Sequence, residues 1–535
     1  MILYTQTKEK WNFLSGYREG FTLAIDELDF GGADSRNNRG YSGSSGRQGV
    51  VGRLNWTIDE KYILEGSFRA DGSEQFAADQ RWGFFPSGSF AYILSKEKFL
   101  EDSEVVDFLK LRASYGVLGN DRLGGARFLY LQSYYVGGNA VFGDGNVVPA
   151  INEGSLSNPN ATWETVKKLN IGADVTLWNG QLSASADFFY DKRSDILGTR
   201  NLSVPSLLGI GLPVENLAKV DNKGVEFTLG HKNSIGKDFY YNMNANFTYA
   251  RNKVIFIDEP ETENPNIRRT GLPLGTQFGY EAIGLFQTQE EVDNAPTHFA
   301  DTAPGDIRYR DINGDGQIDD NDRTDIGRAN TPEIIFGYRS NFVYKDFEFS
   351  FLLQGATNVN QYYSGEGAWP FFLGTSGAFK QNLDRWTPDN RDASEPRVLI
   401  NAENNHRGSS FWLKDASYVR LKNVELAYNL PLEKFNQNLI SGVRLYVNAN
   451  NVATWTKIDN YDPGNVSSCS SFSAKLLLGL RGRYSSFVLP LEYTLFFLIL
   501  SAVASKTSGK SLEGNAFSNL LASFSVIVIM VPCLG

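Results

Sequence analysis

The chain has 535 residues, a formal net charge of −10, 13% aromatic residues and 52 glycines. That length admits several soluble domains or one large barrel, and the negative balance excludes nucleic acid as the main partner, because phosphate binding needs concentrated Lys and Arg. The two cysteines, Cys469 and Cys533, leave everything before them without disulfides or thiolate-bound metal, and three scattered histidines, His231, His298 and His406, argue against a histidine metal site or a His-based triad.

The N-terminus, MILYTQTKEKWNF, lacks a basic region followed by a long apolar core and does not read as a secretory signal. From about Gly46 the pattern has period two, the sign of strands with one apolar and one polar face. The clearest case sets Tyr241, Met243, Ala245, Phe247 and Tyr249 against Asn242, Asn244, Asn246 and Thr248. About twelve strands are expected, at 46–57, 61–71, 83–95, 108–118, 164–178, 181–193, 222–232, 239–254, 334–345, 347–357, 417–430 and 442–456. Their connections alternate between brief turns, such as Asn179-Gly180 and Lys345-Asp346, and loops of about forty to eighty residues.

This meander is the pattern of an antiparallel transmembrane β-barrel, with turns at one end and long external loops at the other. Apolar residues then face outer-membrane lipid while Asn, Ser, Asp and Arg face a wet lumen, with aromatic residues such as Trp56, Tyr62, Trp178, Tyr190, Tyr241 and Trp455 near the strand ends. The soluble alternative is a β-sandwich or β-solenoid whose apolar faces meet internally, stiffened by calcium and built for binding carbohydrate.

The loop between the strands at 239–254 and 334–345 carries GDIRYRDINGDGQIDDNDRTDIG, from Gly305 to Gly327. Counted from Asp311, oxygen donors fall at Asp311, Asn313, Asp315, Asp319 and Asp322, with Gly316 sixth and Ile318 eighth, the order of an EF-hand-like calcium loop. Gly316 permits the bend, the carbonyl of Gln317 supplies a further ligand, and Ile318 anchors the loop to a packed surface. Asp322 stands where an EF-hand uses a bidentate Glu, and the competing reading is a solvated acidic turn. The next long loop holds Tyr362, Tyr363, Trp369, Phe371 and Phe372, which are expected either to stack on sugar rings, to meet a partner protein or to pack within the loop. No Ser/His/Asp, Cys/His or phosphate-cradling glycine loop stands in usable context, so no enzyme is expected.

Six ordered motifs give the chain a resemblance to the SusC/RagA family of TonB-linked outer-membrane proteins over about 1–468. These are the Pro304–Gly327 segment, FPSGSFAY at Phe85–Tyr92, LKLRASYGVLGN at Leu109–Asn120, NPNATWETVKKLNIGAD at Asn158–Asp174, VDNKGVEFTL at Val220–Leu229 and FWLKDASYVRLKNVELAYNLP at Phe411–Pro431. The resemblance implies a plugged barrel of about 22 strands that imports oligosaccharides or other large nutrients. A SusD-like lipoprotein would close over its outer mouth and TonB would energise it from the inner membrane. The family's signal peptide, TonB box and plug have no counterpart here, so the chain is expected to be a C-terminal barrel fragment unable to transport alone. Similarity stops near Ser468, and 469–535 reads as a divergent, Ser- and Leu-rich tail from a frameshifted or rearranged gene end, the competing reading being a helical hairpin anchored in the inner membrane. Its two apolar runs, Phe487–Ala504 and Phe517–Gly535, approach transmembrane-helix length. A surface adhesin that uses the loops for contact alone is the competing function.

Overall fold

The computed structural model describes residues 1–21, 27–123, 127–143, 145–199, 211–259, 264–299, 302–400, 402–431, 443–458 and 461–464, and beyond these four short strands between 475 and 529. Cys469 and Cys533 lie outside the described residues.

In chain order the strands are β1 (Ile2–Tyr17), β2 (Asn37–Ile58), β3 (Tyr62–Ser73), β4 (Trp82–Ile93), β5 (Val106–Asn120), β6 (Tyr134–Phe142), β7 (Asn146–Glu153), β8 (Glu164–Leu177), β9 (Leu182–Thr199), β10 (Val214–Ile235) and β11 (Phe239–Phe256). There follow four short strands, β12 (Gln277–Tyr280), β13 (Ala282–Leu285), β14 (Ile307–Tyr309) and β15 (Arg323–Gly327), then β16 (Ile334–Tyr344), β17 (Phe347–Thr357), β18 (Asn360–Tyr362), β19 (Leu413–Asp415), β20 (Tyr418–Leu430), β21 (Val443–Thr456), β22 (Lys475–Arg481) and β23 (Ser486–Leu491). One 15-stranded antiparallel sheet takes β1 to β5, β8 to β11, β16, β17 and β20 to β23 in that order, with β1 and β23 at its edges. Each strand therefore pairs with the next sheet strand in sequence, as an up-and-down barrel wall requires.

Within 1–468 the wall has one strand more than the sequence pattern suggests. In β1, Thr5, Thr7 and Glu9 share a face with Leu3, Trp11 and Phe13, so neither face is cleanly apolar. Its register is set instead by pairing with β2, from Ile2 opposite Gly52 to Tyr17 opposite Asn37. The described parts of the tail are extended as well. Lys475–Arg481 pairs with β21, and Ser486–Leu491, inside the run that approached helix length, pairs with β22.

The turns follow their residues. Asp59 and Glu60 both have positive φ in a turn that the Lys61 N–H closes on the Ile58 carbonyl at 3.0 Å, and at Asn179-Gly180 the Asp107 carboxylate accepts both N–H groups at 3.0 and 2.8 Å.

Directly paired residues share a face of the sheet. One continuous row runs Trp56–Leu64–Phe90–Ala113–Ile171–Phe188–Val225 across β2 to β10, and a second runs Ala186–Phe227–Phe247–Phe336 across β9 to β16. These rows meet no second layer: Trp56, Phe90, Ile171, Phe188, Phe227 and Phe247 are all exposed. The sandwich and solenoid alternatives fail here, because their apolar faces would be dry. The opposite face is polar and cross-linked. Arg112 of β5 is shared by Asp174 of β8 and Asp187 of β9, and Arg444 of β21 lies 2.8 Å from Glu348 of β17 and 2.7 Å from Glu425 of β20.

Among the described residues three buried clusters sit at the long-loop end. Phe76, Phe85, Leu123, Ala161 and Trp163 form one; Tyr280, Ile307, Tyr309, Ile318 and Trp412 another; Val359, Tyr363, Ala368, Ala416 and Ile458 the third. Hydrophobic packing thus folds the loops, while the wall is held by its ladder of backbone hydrogen bonds.

Candidate functional site: the folded loops above the polar face

The described residues of 257–333 and 358–417 fold against each other rather than spreading into solvent. Their keystone is Asp306, which is buried. Arg397 donates to it twice, Nε to Oδ1 at 2.6 Å and Nη2 to Oδ2 at 2.7 Å, and Asn405 Nδ2 adds a third bond at 2.9 Å. Asn405 Oδ1 accepts the Ile307 N–H at 2.9 Å, Asn404 Nδ2 donates to the Ile307 carbonyl at 2.8 Å, and Trp412 Nε1 donates to the Asn405 carbonyl at 2.7 Å. A carboxylate can be buried at tolerable cost only with this density of charge-assisted partners. Gly305, just before it, has φ +92°, and a Cβ there would strike the Trp386 ring.

Downstream of β14 comes the acidic loop. Asp311 accepts the N–H of Gly314 at 2.6 Å and of Gly316 at 2.9 Å, Asn313 accepts that of Asp315 at 3.0 Å, and Asp315 accepts that of Gln317 at 2.8 Å. Asp322 is fully buried and accepts from Ile312 at 2.7 Å and Asp319 at 2.9 Å, while Asp319 accepts from Asn321 at 2.7 Å. Gly316 makes the bend at φ +83°. Ile318 is buried beside Tyr309 and Trp412, the anchor expected of it. The predicted ligands therefore lie in one loop, with their oxygens turned onto its own N–H groups. Among the described residues no three His, Cys, Asp or Glu side chains converge as a metal site. An all-oxygen donor set suits a hard cation, and Asp311 and Asp315 are on the loop surface where an ion could reach them.

The aromatic residues divide. Tyr363 is buried and packs on Tyr461 with ring centroids 4.9 Å apart, Trp369 stacks on His406 at 5.0 Å and 2°, and Tyr362 lies against the second cluster. Phe371 is exposed and Phe372, half-buried, meets the edge of Trp369 at 5.2 Å. Three of the five thus build the loop core, leaving Phe371 and Phe372 with open ring surface.

Both loop histidines are held neutral. His298 Nδ1 lies 2.7 Å from the Pro296 carbonyl and its Nε2 accepts the Tyr309 N–H at 3.0 Å, so burial, and that accepted bond, oppose a second proton. Burial pushes His406 down to about 4. Among the described residues neither stands beside a nucleophile. The motif pointed to Asp306 but could not reveal Arg397, Asn404 and Asn405, which lie about ninety or more residues further on and carry no local signal.

The sequence profile described as "TonB dependent receptor-like, beta-barrel" matches residues 4–452. The chain belongs to the TonB-dependent receptor β-barrel family. TonB-dependent receptor P3 of Formosa agariphila is 32% identical over 451 residues, covering 81% of this chain and 43% of the relative, and TonB-dependent receptor SusC of Bacteroides thetaiotaomicron is 26% identical over 447 residues, covering 81% and 42%. In fold, the structure of the RagAB peptide transporter superposes with a TM-score of 0.69 over 86% of this chain and 50% of that one, at 23% identity. The chain spans less than half the length of these curated relatives. TonB-dependent receptors are outer-membrane transport proteins rather than enzymes, and the wall and loops described here are SusC/RagA-like.

Proposed function

We propose that this chain forms the C-terminal part of the barrel of an outer-membrane importer that takes up oligosaccharides or other large nutrients with a SusD-like lipoprotein and with TonB, and that it does not transport alone. One observation carries the reading: the wall exposes unbroken apolar rows on one face and an ion-paired polar lining on the other, with its packed cores confined to the loops at one end. Deletion of the gene for the intact receptor abolishes growth on its cognate nutrient. Unchanged growth would instead support an adhesin that uses the loops for contact alone. Of these five rings Phe371 and Phe372 are the ones available to a sugar or to the partner lipoprotein, while Tyr362, Tyr363 and Trp369 belong to the loop core, Trp369 packing against Phe372.

Calcium belongs to the same reading. Asp311, Asn313, Asp315, Asp319, Asp322 and the Gln317 carbonyl are the oxygens that would hold it, at an external-site affinity of roughly 10⁻⁴ to 10⁻³ M. Calcium protects the 311–322 loop from protease in the native protein and no longer does so in Asp311→Ala/Asp315→Ala. Equal cleavage with and without the ion in the native protein rejects the site.

A further inference from the structure

The outward face of β8 to β11 changes character towards the long loops, and it does so on all four strands together. Beyond the paired row Ile171, Phe188, Val225 and Tyr249 come Leu169, Tyr190, Lys223 and Arg251, and beyond those Lys167, Lys192, Asp221 and Lys253. Period two keeps these residues on the face that carries the apolar rows, and the five cations among them are exposed. On β9 the apolar stretch from Leu182 to Tyr190, at about 3.4 Å per residue and a tilt of about 40°, covers roughly 20 Å of height, most of the band that a barrel buries in hydrocarbon. Lys192 therefore stands just outside the oil, and Tyr190 and Tyr249 mark the boundary as an aromatic girdle does.

The cations are poorly matched within the protein. Lys167 lies directly opposite Lys192, and Lys223 directly opposite Arg251, an arrangement with Cβ atoms about 5 Å apart that is destabilising for like charges. Arg251 reaches Glu333 at 3.3 Å, and Asp221 accepts the Tyr190 hydroxyl. Among the described residues Lys167, Lys192, Lys223 and Lys253 have no carboxylate partner. The patch also ends at its flanks: β5 sets Val117 opposite Lys167 and Tyr115 opposite Leu169, and β16 sets Ile334 opposite Tyr249. The midpoints of the two facing pairs are two strand spacings and two residues apart, about 12 Å.

We propose that this patch seats a glycolipid of the outer leaflet that carries a phosphate at each end of a disaccharide head group: Lys167 and Lys192 take one phosphate, Lys223 and Arg251 the other, and the acyl chains lie along the apolar rows. A phosphate between two facing cations turns their repulsion into charge-assisted bonds, and a disaccharide phosphorylated at both ends has the length that separates the pairs. The inference rests on the outer-membrane placement of the wall and on no particular cargo.

The test uses the full chain folded in detergent, with thermophoresis of the labelled protein reading its affinity for bisphosphorylated lipid A, the monophosphoryl and dephosphorylated forms, phosphatidylglycerol and inorganic phosphate. Bisphosphorylated lipid A binds most tightly, each phosphate removed weakens binding about tenfold, the scale of a lost charge-assisted bond, and added salt weakens it further. Phosphatidylglycerol, with one phosphate, and inorganic phosphate, with no chains to lie on the wall, bind less well. Lys167→Gln/Lys192→Gln and Lys223→Gln/Arg251→Gln each make the bisphosphorylated and monophosphoryl forms bind equally. Lys96→Gln/Lys345→Gln, which removes as much charge at the short-turn end, changes nothing, and far-UV circular dichroism shows that the variants are folded. The ligand series on the unaltered protein tests the seat independently of the variants. No binding of lipid A, equal binding of its dephosphorylated form, of phosphatidylglycerol or of inorganic phosphate, or a loss as large in Lys96→Gln/Lys345→Gln would overturn the seat. Those outcomes leave the importer reading intact, which stands or falls on growth after gene deletion.

Discussion

Asp306 fastens together residues far apart in the chain, and it is the position where one side chain matters most. Asp306→Ala removes the carboxylate that accepts from both the Arg397 guanidinium and the Asn405 amide. Breaking one side of such a buried pair costs about 3–5 kcal/mol. Hydrogen exchange at the Ile307 and Tyr309 amides reads this directly, with protection lost there and kept in the wall strands. The two loop histidines give the same module a pH dependence of definite sign. His406 titrates near 6.5 when unfolded and near 4 when stacked on Trp369, so its contribution is fully present above about pH 6.5 and is lost as pH falls towards 4. His298 acts in the same direction, because a proton on Nε2 would face the Tyr309 N–H, donor to donor. Protection in the loops, measured against the intrinsic amide exchange rate at each pH, therefore falls between pH 6.5 and 4.5, and His406→Gln flattens that profile. A profile unaffected by the substitution would show that the stacked ring is not the group responsible.

At the scale of single strands, β10 places opposite demands on neighbouring residues. Phe227 points outward among Ala186 and Phe247, while Thr228 points inward between Ser185 and Asn246. Arg at the lipid-facing site costs about 2–4 kcal/mol at mid-bilayer, and lumen positions tolerate charge. Urea unfolding in lipid nanodiscs shows a large loss for Phe227→Arg and little change for Thr228→Arg; equal losses would mean that both faces are wet. This contrast explains what could be read beforehand. Strands such as β10 and β11 declared themselves because lipid and water impose period two on adjacent side chains. β1 mixes Thr and Glu with Trp and Phe on one face, and the Asn37–Ser45 start of β2 is Gly-, Ser- and Asn-rich, so their pairing emerges only from the ladder. The acidic loop was legible as a turn with an anchor at Ile318, because Asp, Asn and Gly fix local hydrogen bonds. The side chains that clamp Asp306 come from distant sequence, and spacing cannot announce them.

Across the whole molecule, two kinds of stability are kept apart. The wall gains little from side-chain burial, since its apolar rows stay uncovered, and it depends on closed backbone pairing in hydrocarbon. The loop module has its own apolar clusters and charge-assisted bonds, and it behaves as a small water-soluble fold mounted on the rim. Detergent exchange should accordingly disturb the wall long before the loops, which a comparison of exchange rates in harsh and mild detergents can check. The rim of β1 shows what this division entails. An antiparallel edge strand directs every second residue's N–H and C=O away from its one neighbour, so β1, paired with β2 along all of Ile2–Tyr17, presents about eight donors and as many acceptors on its free side. In oil each of these is a debt of several kcal/mol. A matching ribbon laid along β1 would cancel it all at once, which makes this margin a template: whichever segment zips onto it decides whether the wall can live in a bilayer.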